Sequence, residues 1–171
     1  MFTGQQKLII QRFDPDIHDR SAFSCQIADS LQIYFTGEEF IRDVVDLKIL
    51  GGWVAADESG KVFGYYTLGM RTLDTKQIPN PEQLEFPFKT LNFVILSRIA
   101  TCDDLRGTGY GQGLLFDAVK TAYELGSPLG AQGVYLEARN DEVIRIYENF
   151  GFFSLPSKSE RMIYPFKDFL Q

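Results

Sequence analysis

The chain has 171 residues, of which 44% are hydrophobic and 23% charged, and 17 Lys and Arg face 23 Asp and Glu for a net charge of −6. That balance describes one soluble domain, residues 1–171, large enough to bury a core; its acidic total argues against non-specific nucleic-acid binding while leaving room for a local basic patch. Cys25 and Cys102 stand far apart and His18 is the lone histidine. No metal or redox spacing results, the thiols read as reduced in a cytoplasmic protein, and His18 reads as a surface residue. No signal peptide begins the chain and no apolar run is long enough to span a bilayer. Fifteen Phe and eight Tyr point to an aromatic-rich core.

Lys7 to Phe13 reads as a first strand, turned by Asp14-Pro15-Asp16. Two helices follow between about Ser24 and Lys48. The first carries Ile27, Leu31, Tyr34 and Phe35 on one face and is broken by Gly37; the second opens on Glu38 and Glu39. Phe23 and Cys25 read as core. Gly51-Gly52 closes this region. Trp53–Ala56 and Lys61–Met70 then form a hairpin around Asp57-Glu58-Ser59-Gly60. Arg71 to Asn92, with Pro79, Pro81 and Pro87, reads as a long connection into a central strand whose apolar run is Val94, Ile95, Leu96 and Ile99.

Asp103 and Asp104 end that strand, and Arg106-Gly107-Thr108-Gly109-Tyr110-Gly111 leads into an amphipathic helix carrying Leu114, Leu115, Ala118, Val119 and Ala122. A strand feeding a glycine-rich loop into a helix start presents several backbone N–H groups at one point, which favours a phosphate or pyrophosphate. A Walker loop would end in Gly-Lys-Ser/Thr, where Gly111-Gln112-Gly113 stands. A dinucleotide fold would place its glycines after the first strand, with an acidic residue about 20 residues on. Gly133–Ala138 is a further strand, Glu142–Phe150 a short helix stopped by Gly151, and Phe152-Phe153 with Arg161–Phe166 a final antiparallel pair. The order is β-α-α-β-β-β-α-β-α-β-β.

Arg106, Gly109 and Gly111 match Arg/Gln-x-x-Gly-x-Gly/Ala, the pyrophosphate loop of the Gcn5-related (GNAT) N-acetyltransferases. Asn140-x-x-Val143-Ile144-Arg145-Ile146-Tyr147-Glu148-Asn149-Phe150-Gly151-Phe152 resembles a second segment of that family, departing only at Val143, where Ala is usual. The resemblance covers the whole chain and is sharpest from Val94 to Phe152. It implies a mixed α+β fold, a twisted, mostly antiparallel sheet of about six to seven strands flanked by about four helices. Ser97-Arg98-Ile99-Ala100, Phe23-x-Cys25 and Gly64-Tyr65-Tyr66-Thr67-Leu68 are similar to the GNAT toxins of bacterial toxin–antitoxin pairs, which acetylate the α-amine of aminoacyl-tRNA. The acidic charge departs from those toxins. Arg98, Arg139, Arg145, Lys158 and Arg161 could contribute to one basic patch.

The resemblance implies acetyl-coenzyme A as cofactor. Ile99, Ala100 and Thr101 would pair with its pantetheine arm, and Arg106, Gly107, Thr108, Gly109, Tyr110, Gly111 and Gln112 would hold its pyrophosphate. Asn140 would either touch the cofactor arm or cap the short helix. Tyr147 is the candidate acid for the departing thiolate. Glu137 is a candidate base or acceptor contact against an ordinary strand carboxylate. Arg98 would bind an anionic acceptor or form a salt bridge. The acceptor is a primary amine: that of aminoacyl-tRNA, of a small molecule such as a polyamine, or of a protein; a non-catalytic acyl-CoA-binding module is the remaining alternative. An antitoxin partner and a homodimer are expected by the same likeness, with no metal.

Overall fold

Small residues facing large ones set the first hairpin. β2 (Gly51–Ala56) and β3 (Val62–Asp74) pair antiparallel, with Gly52 opposite Thr67 and Val54 opposite Tyr65. A Cβ on Gly52 would lie 3.1 Å from Val44 and 3.2 Å from Phe40, so the glycine lets a helical segment pack onto the strand. Gly51-Gly52 therefore begins a strand rather than closing the helical region. The turn is fastened by Asp57, whose carboxylate accepts from the backbone of Ser59 and Lys61. Gly60 turns it at φ +89°, and a Cβ there would stand 2.1 Å from the carbonyl oxygen of Ile17.

The structure, a computed structural model, describes residues 7–80 and 85–169. The remaining elements are β1 (Ile9–Arg12), α1 (Asp29–Thr36), α2 (Glu38–Ile41), which continues into a π turn at Arg42–Asp46, β4 (Thr90–Thr101), α3 (Tyr110–Gly126), β5 (Gly133–Glu137), α4 (Asp141–Phe150), β6 (Phe153–Leu155) and β7 (Lys158–Pro165). The expected element order holds. The strands run β1-β2-β3-β4-β5-β7-β6; β4 and β5 are parallel, and the β1–β2, β2–β3, β5–β7 and β6–β7 pairs are antiparallel. The connection read over Arg71–Asn92 is shorter than expected, because β3 runs on to Asp74 and β4 starts at Thr90. Pro81 lies outside the described residues.

The chain forms two compact units. The first takes residues up to Gly69 together with Arg98–Ala118. Its core is aromatic: Phe35 stacks on Tyr65 at 4.1 Å and 9°, with Phe23 and Phe40 edge-on to Phe35 at 5.0 and 4.8 Å. Phe23 and Cys25 are core, as expected. Tyr65 donates to the carbonyl of Leu31 (2.7 Å), and Arg20 donates to the carbonyls of Phe35 and Gly37 where α1 ends. The second unit takes Met70–Ser97 and the chain from Val119 on, with Leu73, Phe93, Tyr135, Leu155 and Ile163 in its core.

His18 is buried, at 6% exposure, and is not the surface residue expected. Its Nδ1 accepts from the Asp14 N–H at 2.9 Å, so the neutral ring carries its proton on Nε2, 2.7 Å from the Gln11 amide. The amide is then oriented with its oxygen towards the ring. Burial pushes the His18 pKa below its usual value, against a smaller upward pull from Asp14. The unfolded chain thus takes up a proton before the folded one. Stability from this group is complete above about pH 6.5 and is lost as pH falls through the lower folded value. Thermal melts should show this acid-side loss, and His18→Gln should make it shallower. A second expectation concerns Thr67, whose hydroxyl is fully buried with no hydrogen-bond partner among the described residues. Thr67→Val removes that unpaired group and should raise unfolding free energy by about 1 kcal/mol in denaturant titrations.

Candidate active site

At the end of β4 the chain is tied down before it enters the glycine loop. Cys102 donates its N–H to Phe63 O (2.7 Å), and Leu105 is buried at 2% exposure. Asp103 is the brace: its carboxylate accepts from Ser24 Oγ and the Gln26 N–H, each at 2.9 Å, and from Arg106 Nη2 at 3.1 Å. The sequence marks Asp103 only as the end of a strand; its bonds to residues nearly eighty positions away have no local signature.

Beyond this brace the backbone alternates. The amides of Arg106, Thr108 and Tyr110 are taken, by Asp103 O, Leu105 O and Thr108 Oγ1 respectively. Those of Gly107, Gly109, Gly111 and Gln112 meet no acceptor among the described residues. Gly107 (φ +76°) and Gly109 (φ +80°) supply the left-handed turns that point them outward. Such alternation makes an anion-binding concavity, and here it opens at the N-terminus of the 17-residue α3.

Space around the loop fits a phosphate-bearing ligand. A Cβ on Gly107, Gly109 or Gly113 would meet nothing within 4 Å, and one on Gly111 would meet only Thr101 Oγ1 at 4.0 Å. Internal packing therefore does not demand glycine at 111 or 113, although each costs the helix about 1 kcal/mol relative to alanine. Tyr110 differs from its neighbours in the loop: its N–H is used and its ring packs against the core of the first unit. Arg106 is exposed and paired with Asp103. The β4–β5 ladder joins Val94 to Val134 and Ile95 to Tyr135 and goes no further among the described residues. Ile99, Ala100 and Thr101 lie beyond it on β4, a strand edge of the kind an extended ligand pairs with.

In the second unit, Asn140 Oδ1 accepts from the Val143 N–H at 2.9 Å, so Asn140 caps α4. At the other end Gly151 takes φ +127°, and the carbonyl of Tyr147 accepts from both Gly151 and Phe152. Tyr147 is thus pinned by its backbone in the last turn, with its ring edge-on to Phe152 at 5.5 Å. Its hydroxyl has no partner among the described residues. Burial pushes its pKa up to about 12, with Arg139 pulling weakly the other way. Glu137 accepts from Tyr135 Oη at 2.7 Å and pairs with Arg161 at 3.7 Å, while Arg71 lies 5.3 Å from the Tyr135 ring. Tyr135 and Arg161 both engage Oε1 of Glu137, and its ordinary role on the strand is the better reading.

Arg98, in the first unit, forms no salt bridge among the described residues. Its guanidinium sits 3.6 Å from the centroid of Tyr34. Tyr34 in turn donates to Asp43 at 3.0 Å, a buried carboxylate also held by Arg42.

The acetyltransferase (GNAT) family model matches residues 24–152. The chain belongs to the GNAT family. It is accordingly an acetyl-CoA-dependent N-acetyltransferase. Among relatives, the probable toxin TacT of Sinorhizobium fredii is 26% identical over 95% of this chain and 93% of its own. Among solved structures, AtaT complexed with acetyl-methionyl-tRNAfMet has a TM-score of 0.86 at 24% identity, covering 96% of this chain and 98% of that one. A tyrosine-to-phenylalanine mutant of AtaT, bound to the C-terminus of the antitoxin AtaR and acetyl-CoA, has a TM-score of 0.77 at 24% identity over 95% of each chain. This GNAT chain has no helix long and apolar enough to cross a membrane among its described residues.

The loop geometry sets an opposition of effects. Gly111→Ala should raise the melting temperature, since alanine is the better helix former by about 1 kcal/mol. The same change should weaken coenzyme A binding about tenfold or more in calorimetric titration. Gly107→Ala, forced to φ +76°, should lower both stability and affinity.

Proposed function

We propose that this chain acetylates the α-amine of aminoacyl-tRNA, with Tyr147 as the acid. The observation that carries the chemical part is the Tyr147 phenol, half-buried and without a hydrogen-bond partner among the described residues. The likeness to a probable toxin along almost the whole chain supports the acceptor, and so does the complex of AtaT with an acetylated aminoacyl-tRNA.

Acetyl-CoA, when bound, supplies an acetyl thioester open to attack by an amine. The amides of Gly107, Gly109, Gly111 and Gln112 bind its diphosphate, with Arg106 and Thr108 in the same loop, and the β4 edge at Ile99–Thr101 orients its arm. Asn140 serves through the helix it caps, holding α4 and hence Tyr147 in place. With the thioester held there, an amine would form the C–N bond as the C–S bond breaks; Tyr147 would give its proton to the departing sulfur, and the proton the nitrogen sheds on becoming an amide would return to the phenolate. A phenol held near 12 is fully protonated at neutral pH, as an acid must be. Against a thiol of about 8.5 in water the transfer runs uphill by roughly 5 kcal/mol. The desolvation that raises the phenol also raises the thiol, which narrows that gap. An α-amine titrates near 7.7 to 8.0, so it needs little help from a base. Glu137 is not required.

The whole chain acting as one acetyltransferase domain belongs to the same proposal, because the family match takes in parts of both units. So do a cytoplasmic location, a homodimer and an antitoxin partner, for which the named antitoxin of the AtaT complex is the analogy. The net charge of −6 favours a second reading, a small polycationic amine as acceptor.

Labelled acetyl-CoA with charged tRNA should place label on the aminoacyl end. Labelling of polyamines and of no charged tRNA would move the assignment to the second reading. Tyr147→Phe should lower kcat by about 10²- to 10³-fold with coenzyme A affinity retained. Unchanged turnover would remove the acid role.

A further inference from the structure

Arg98 is a cation whose donors are left over. Its guanidinium lies in contact with the face of Tyr34, 3.6 Å from the ring centroid, and the residue is half-buried. It forms no hydrogen bond or ion pair with the described residues. Other arginines of the first unit are differently placed. Arg20 donates to the carbonyls of Phe35 and Gly37, and Arg42 pairs with Asp43 at 2.8 Å.

The support beneath Arg98 is rigid. Tyr34 is 4% exposed and donates to Asp43 Oδ2 at 3.0 Å. Asp43 is 6% exposed, and its other carboxylate oxygen accepts from Arg42 Nε at 2.8 Å. The backbone carbonyl of Asp43 accepts from the amides of Ile49 and Leu50. Each oxygen of the nearby carboxylate already accepts one bond, and Asp43 attracts Arg98 across space without a direct ion pair between them. What remains is a planar fork of N–H donors, levelled on an aromatic ring. That fork matches an oxyanion in a bidentate manner. A half-buried guanidinium with unfilled donors leaves room for an acceptor to take them. Arg98 also directly precedes Ile99–Thr101, the strand edge assigned to the cofactor arm.

We propose that Arg98, levelled by Tyr34 and Asp43, grips an oxyanion of the acyl acceptor and so orients the amine, the oxyanion being a phosphodiester at the 3′ end of the RNA. Arg98 touches substrate in this reading, while Tyr34 and Asp43 are positioning residues. The inference rests on the amine-acetyltransferase reading above and deepens its acceptor site.

Binding tests it without requiring turnover. A labelled RNA minihelix ending in CCA is titrated into the full chain by fluorescence anisotropy over a range of salt, and coenzyme A is titrated separately. Arg98→Leu should weaken minihelix binding about tenfold and reduce the salt slope by about one, with coenzyme A affinity and melting temperature retained. Arg98→Lys should recover part of the affinity, because it keeps the charge and loses the fork. Tyr34→Phe, which keeps the ring, should lose less than Tyr34→Leu. On an acetylated acceptor, Arg98→Leu should raise KM more than it lowers kcat.

Equal minihelix affinity and equal salt slope for wild type and Arg98→Leu would overturn the proposal. A loss seen only with free methionine as ligand would reassign the oxyanion to a carboxylate and overturn its RNA part. If charged tRNA is never acetylated but minihelix binding still depends on Arg98, the acceptor assignment fails and this site stands.

Discussion

Four backbone N–H groups that meet no acceptor among the described residues govern this protein. The loop from Arg106 to Gln112 satisfies every second amide internally and leaves those of Gly107, Gly109, Gly111 and Gln112 open. Two left-handed glycines produce the alternation, and Asp103 holds the base of the loop to Ser24 and Gln26. Buried amides in this condition would be prohibitive, so the loop sits at the surface, where water or an anion fills them. The rest of the first unit keeps that loop in place: Cys102 is bonded to β3, Leu105 is inserted in the core, and Tyr66 donates to Asp117 of α3 at 2.7 Å.

One physical effect, the removal of phenols from water, is put to three uses. Tyr34, Tyr65 and Tyr147 all have pKa values pushed up by burial. Tyr65 spends its proton on the carbonyl of Leu31 and is structural. Tyr34 spends its proton on Asp43 and offers its face to Arg98. Tyr147 alone of the three has no acceptor among the described residues, and that difference is why the acid role is proposed for it and not for the two that hold the fold.

Local rules made much of this legible. Asn140 and Gly151 mark both ends of α4, and they do so by side-chain and left-handed capping visible three residues at a time. The glycine loop stood out once its spacing was joined to the strand before it, the helix after it and the second signature at Asn140–Phe152. Errors arose where distant residues decide. The tail of β3 from Arg71 to Asp74 buries only Leu73, and the prolines that follow obscure its two-residue alternation, so that stretch read as loop. His18 read as exposed because its burial comes from Gln11, Asp14 and the aromatic wall of Phe13, with ring centroids 5.8 Å apart.

The sequence by itself determined the order of elements, the place of the glycine-rich turn before α3 and both ends of α4, because capping, periodicity and glycine chemistry act over a few bonds. Only the tertiary structure decided which polar groups are left without partners. Arg98 stacks instead of pairing, Glu137 is occupied by Tyr135 and Arg161, and Asp103 braces a loop. Hydrogen-bond satisfaction is a property of the whole packed chain, and no window of residues contains it.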